Sequence, residues 1–165
     1  MTKRVKILFA LIIFTLSSCA TWLHETHPAQ FKLQDGSGTF EARHWSSYIL
    51  RVKLTIADRS KEFCEASEIV KWENSCKSHF QGGRSINFSW EVRDITNNTV
   101  VESKNYFKPD YCSAVGEQEG IWCSFYDFKV EEGHRYQIVV NDVVIPEGGW
   151  KFNPTISVDA AAGKL

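Results

Sequence analysis

The chain has no apolar run approaching the roughly 20 residues that cross ~30 Å of hydrocarbon as a helix. Its longest, Ile7 to Leu16, falls well short of that. It has no excess of positive charge either, with 19 Lys+Arg against 20 Asp+Glu. The clustered cations that hold phosphate backbones are therefore missing, and nucleic acid is not an expected partner. No Gly-x-Ser-x-Gly elbow, glycine-rich phosphate loop or Cys-x-x-Cys spacing occurs. Missing motifs alone exclude no catalysis, because triads assemble in space. The remaining candidates read more simply as surface. His24 and His27 stand just before Pro28, which suits a solvated tether better than a metal-holding helix. His79 and His134 fall in polar stretches, Glu117 and Glu119 share one, and Glu131 and Glu132 precede Gly133 in a turn. No catalytic, cofactor-binding or metal-binding residue is assigned, and the expected role is not enzymatic.

The first residues are unlike the rest. Lys3, Arg4 and Lys6 precede the apolar run Ile7 to Leu16, and small residues follow. A basic start, a short apolar core and a small-residue end read as a signal peptide over 1–18. Leu16-Ser17-Ser18-Cys19 then resembles a bacterial lipobox: an aliphatic residue, two small residues and a cysteine. The resemblance implies cleavage before Cys19 and diacylglycerol on its sulfur, usually with acylation of the new amine. Two or three acyl chains hold a protein on a membrane where one is marginal. Ala20, where an aspartate would retain the protein, implies export to the outer membrane with the chain facing the periplasm.

Without residues 1–18, 147 of the 165 residues remain, and Lys+Arg falls from 19 to 16 against 20 acidic residues, a net charge of −4. That length fits one domain able to bury its own core. Residues 19–37, with Pro28 and Asp35-Gly36-Ser37-Gly38 near the end, read as a lipidated tether, and 38–165 as the domain. Besides Cys19, the chain holds Cys64, Cys76, Cys112 and Cys123. An even count in an oxidising compartment indicates two disulfides, with three connectivities open. Local pairing, Cys64 with Cys76 and Cys112 with Cys123, is favoured because each pair encloses a polar stretch between strand-like segments. A four-cysteine metal site is the competing reading, and it lacks the usual spacing.

The domain reads as strands. Tyr48, Leu50, Val52, Leu54 and Ile56 alternate with mostly polar neighbours, as do Ile86, Phe88, Trp90 and Val92. Thr96-Asn97-Asn98-Thr99 suits a hairpin turn, with Val100 and Val101 opening the return strand. Tyr126, Phe128 and Val130 alternate, then Tyr136, Ile138 and Val140, and Ile156 and Val158 close the series. Between Ser60 and Trp72, Phe63, Ala66, Ile69 and Val70 recur at helical spacing. The segment is either a short helix near 60–72 or a loop clamped by Cys64. Short strands with turns between them make an all-β sandwich or barrel. Phe128 to Val140 resembles the E–F corner of immunoglobulin-like domains, where a glycine turns the chain and a tyrosine ties the corner through its hydroxyl. Gly133 and Tyr136 stand in those places, so the expected fold is an immunoglobulin-like antiparallel β-sandwich.

Six tryptophans complete the inventory. Trp90 belongs to an apolar strand face and should be core, while Trp45, Trp72, Trp122 and Trp150 flank turns, cysteines or glycines. Exposed aromatics anchor interfaces and stack on sugars. Trp122, beside Cys123, is the expected partner contact. The chain resembles small Gram-negative lipoproteins with one immunoglobulin-like sandwich. The expectation is a membrane-anchored binding protein with a protein partner, an inhibitor or immunity protein against a toxin or lytic enzyme. The alternative is a structural or glycan-binding module of the cell envelope.

Overall fold

The computed structural model describes residues 29–43, 47–72, 85–114 and 120–161. Two antiparallel sheets pack face to face. One has the order β1 (Ala29–Lys32), β9 (Thr155–Ala160), β3 (Ser47–Leu54), β7 (Ile121–Lys129), β6 (Tyr111–Ala114). The other has the order β2 (Ser37–Glu41), β8 (Arg135–Val144), β4 (Asn87–Asp94), β5 (Thr99–Lys104). Alternation in sequence becomes alternation in burial. Tyr48, Leu50, Val52 and Leu54 of β3 face Phe88, Trp90 and Val92 of β4 across a core that excludes water from all of them.

The pairing carries an immunoglobulin skeleton with its ends exchanged. Immunoglobulin sheets run A-B-E-D and C′-C-F-G. Reading β3 to β8 as B, C, C′, D, E and F reproduces B–E, E–D, C–F and C–C′. The last strand, β9, instead pairs with β3, where the first strand would lie. β2 pairs with β8, where the last would lie.

Two expectations resolve here. The stretch 60–72 contains a helix, α1 (Arg59–Ile69), between β3 and β4. The Glu62 carboxylate accepts the backbone N–H groups of Ala57 and Asp58 at 2.9 and 3.1 Å, securing the start. At the end Lys71 turns left-handed, and the Trp72 N–H reaches back to the Ser67 carbonyl at 2.8 Å, a Schellman-type stop. Ala66, Ile69 and Val70 are buried in the core. The tether boundary at 37 is corrected: the sandwich already includes Ala29. Phe31 and Leu33 continue a period of two that is easily missed before the glycines. Leu33 is fully buried, and β1 pairs with β9 along its whole length.

The sheets are tied together at one end by two tyrosine corners. The Tyr136 hydroxyl accepts the Glu131 N–H at 2.9 Å where β7 crosses to β8, and Gly133 supplies the left-handed turn. A second corner, absent from the sequence reading, joins β2 to β3. The Tyr48 hydroxyl accepts the Arg43 N–H at 3.2 Å and donates to the Arg43 carbonyl at 3.1 Å. Both follow the pattern Phe-x7-Tyr, Phe40 to Tyr48 and Phe128 to Tyr136. In each sheet the phenylalanine of one corner sits opposite the tyrosine of the other. The four rings cluster with neighbouring centroids 5.1 to 6.4 Å apart.

Candidate functional site

Cys112 and Cys123 face each other directly across β6 and β7 and are joined by a disulfide, the expected local pair. Both side chains point into the core. The bond thus clamps the strand pair as well as the connection between them. Where that connection re-enters β7, Gly120 adopts φ +106°, and a Cβ there would come within 1.8 Å of the Leu54 carbonyl oxygen. Only glycine fits so close to β3. Cys64, on α1, is also disulfide-bonded. Its expected partner Cys76 lies outside the described residues, as does Cys19.

Since Cys123 faces inward, Trp122 faces outward on the sheet. It is a strand residue, half-buried between Lys53 of β3 and Ser113 of β6, at the position expected for a partner contact. The Lys53 ammonium lies 4.7 Å from its ring centroid, a cation–π contact. Two rungs away Tyr111 stands opposite Ser124. Tyr111 and Trp122 are therefore diagonal neighbours, within reach of each other's side chains. Further in, Arg51 lies along the sheet from Ser124 Oγ, at 3.2 Å from Nε, to Asp159 Oδ2, at 2.8 Å from Nη1. Ser157 donates to the same Asp159 oxygen at 3.3 Å. This polar strip is tied together by hydrogen bonds between its own side chains.

The side of the molecule bounded by β5 and β6 is the less conventional surface. Both are edge strands, one from each sheet, linked by residues 105–110. Six large apolar side chains are well exposed among the described residues, and four belong to this stretch: Val100, Val101, Tyr106 and Tyr111. Tyr111 is 68% exposed and Tyr106 52%. Behind them the core is closed by aromatics. Trp90 packs against Phe125 and Tyr126 at 5.5 and 4.7 Å, and Phe107 stacks on Phe88 at 4.9 Å. Glu102 seals the gap between the sheets, paired to Lys104 at 3.1 Å and reached by the Tyr126 hydroxyl at 3.5 Å. The Lys104 hydrogen bond, helped by the Ser103 N–H, holds the Glu102 carboxyl below its ordinary pKa. Burial, with the Glu102 charge, pushes the Tyr126 hydroxyl above its own. The two remaining exposed apolar residues, Val144 and Trp150, lie at the end of the sandwich near α1. There the turn Gly149–Phe152 meets the helix through Lys151 and Glu65 at 2.6 Å.

At the corner end, the Asp94 carboxylate caps the β4–β5 turn. It accepts the Thr96 and Asn97 N–H groups at 2.8 and 3.2 Å and pairs with His134 Nδ1 at 2.8 Å. His134 Nε2 lies 3.4 Å from Glu131. Burial pushes the Asp94 carboxyl upward, but the His134 bond and the two backbone donors outweigh it and leave it below the ordinary value. His134 is thereby placed as a tie between two turns. Among the described residues no group of three or more His, Cys, Asp or Glu side chains could hold a metal ion.

The sequence pointed to Trp122 and the disulfide but not to Tyr106, Tyr111, Val100 or Val101. One signal was present: once Cys112 must face inward to meet Cys123, its neighbour Tyr111 must face out.

No family model and no curated protein matches this chain. The chain is similar in structure to a crystal structure of a protein from Sulfurospirillum deleyianum, with a TM-score of 0.53 at 8% sequence identity. The superposition covers 84% of this chain and 94% of the other. At that identity the likeness is one of fold, an antiparallel β-sandwich.

Proposed function

We propose that this protein is a non-enzymatic lipoprotein, held through Cys19 at the periplasmic face of the outer membrane, whose β5–β6 side binds a protein partner. In its specific form the reading is an inhibitor or immunity protein that neutralises a toxin or lytic enzyme reaching the periplasm. The observation that carries it is the concentration of exposed Val100, Val101, Tyr106 and Tyr111 on two edge strands. Tyr111, beside the disulfide at Cys112, loses little entropy on docking. Edge strands also offer unpaired backbone groups to an incoming chain.

The test compares capture of envelope proteins by the full chain and by Tyr111→Ala and Val101→Glu variants. A specific partner should lose at least about tenfold in affinity, the equivalent of roughly 1.4 kcal/mol, with an unchanged melting temperature. Equal capture by all three removes this surface from the reading. A glycan-binding reading is supported by one feature, the diagonal Tyr111–Trp122 pair on an outward sheet face. Retention on isolated envelope glycan, lost in Trp122→Ala, would favour it instead.

A further inference from the structure

We propose that the end of the sandwich built by the two tyrosine corners faces the lipid surface, so that the β5–β6 side stands upright from the membrane and the α1 end points away from it. This rests on the anchor reading of Cys19 and adds the orientation. β1 runs antiparallel to β9, and β9 ends beside Tyr48 at the corner end. β1 therefore begins on the side of the corner end and runs toward α1. Ala29 lies level with Val158 and Leu50, two residues short of the Tyr48 rung. The stretch from Cys19 to Pro28, fully extended, reaches at most roughly 35 Å. β3 alone, with eight residues, is about 26 Å long. To set the α1 end on the bilayer, that stretch would have to reverse at Ala29 and run back past the rungs from Leu50 to Leu54, about half of that length, whereas at the corner end it leads out directly.

The composition of the ends agrees. The described turns at the corner end present Thr96, Asn97, Asn98, Glu131 and Glu132 to solvent, and the nearest exposed large apolar side chain is Val100, the second residue of β5. A hydrated, polar headgroup layer is the surface such an end can approach without burying uncompensated apolar area. Val144 and Trp150, at the other end, remain available to soluble partners.

The experiment uses the full lipidated chain in vesicles of phosphatidylethanolamine and phosphatidylglycerol, with a spin-labelled headgroup lipid as quencher. A fluorophore is attached after Lys129→p-azidophenylalanine at the corner end, or after Glu147→p-azidophenylalanine at the α1 end. Both positions are exposed. Quenching should be at least about twofold stronger at 129, since the two heights differ by about the length of β3, roughly 26 Å. Equal or reversed quenching in protein that floats with the vesicles overturns the orientation alone. Protein that fails to float overturns the anchor, and the orientation with it.

Discussion

Tyr48 and Tyr136 are buried phenols whose hydroxyls hold the backbone five residues upstream. Tyr136→Phe should cost about 1 kcal/mol, the usual net worth of a hydrogen bond. Tyr48→Phe removes two such bonds and should cost somewhat more, both read from denaturant melts. If neither hydroxyl matters, the corners are incidental to stability. Asp94 makes a pH-dependent contribution. Its carboxyl titrates lower in the folded protein than in the unfolded chain, so its stabilisation is complete above the ordinary carboxylate pKa. That stabilisation is lost as pH falls through the folded value. Asp94→Asn should destabilise by about 2 kcal/mol at neutral pH, in the range for bonds to a charged group. The difference from the native chain should shrink below roughly pH 5. A gap constant with pH would mean that the geometry matters and the charge does not.

Among the elements, the β6–β7 pair is predicted to depend on its disulfide. Cys112 and Cys123 enclose a short segment, and replacing both with Ala should cost about 3 kcal/mol by loop-closure entropy. The measurement is a denaturant melt beside the reduced native chain, which Cys64 also affects. β1 is short but anchored by Leu33, so Leu33→Ala should cost roughly 2–5 kcal/mol as a core truncation. A flexible tether at that position would tolerate the change. The strands were legible wherever apolar and polar residues alternate cleanly, as in β3, β4 and β8. β1 was not, because its alternation of Ala29, Phe31 and Leu33 runs straight into the turn signals at Asp35 to Gly38. The second corner was hidden for a different reason: Tyr48 also fits the strand pattern of β3, and no glycine marks its turn. α1 could be told from a loop only by its tertiary contacts, since its apolar face is narrow.

For the whole molecule, sandwich and corner followed from pattern, while the exchange of the end strands did not. Pairing between β2 and β8, or β3 and β9, is a long-range choice that leaves no local mark. The candidate surface was only half legible because exposure at a sheet edge depends on which strands lie outermost. Val100 and Val101 look like core residues until β5 proves to be the outermost strand of its sheet among the described residues. Attachment to the membrane remains a proposal testable at this scale. Cys19→Ser should abolish fatty-acid labelling and leave the precursor unprocessed. Continued labelling would overturn the assignment of the anchor to Cys19.

The short first strand has a mechanical consequence. Hydrogen bonds in an antiparallel pair lie across the strands, and β1 meets β9 at four positions. A tug on the chain ahead of Ala29 runs along β1, out of the corner end, so it strains those rungs in shear and together. Peeling them singly would require a pull from the side. Leu33, seated in the core just past the strand, works as a stop behind the joint. Under the proposed anchor at Cys19, the fold would therefore meet tension along its strong axis, with both tyrosine corners at the loaded end.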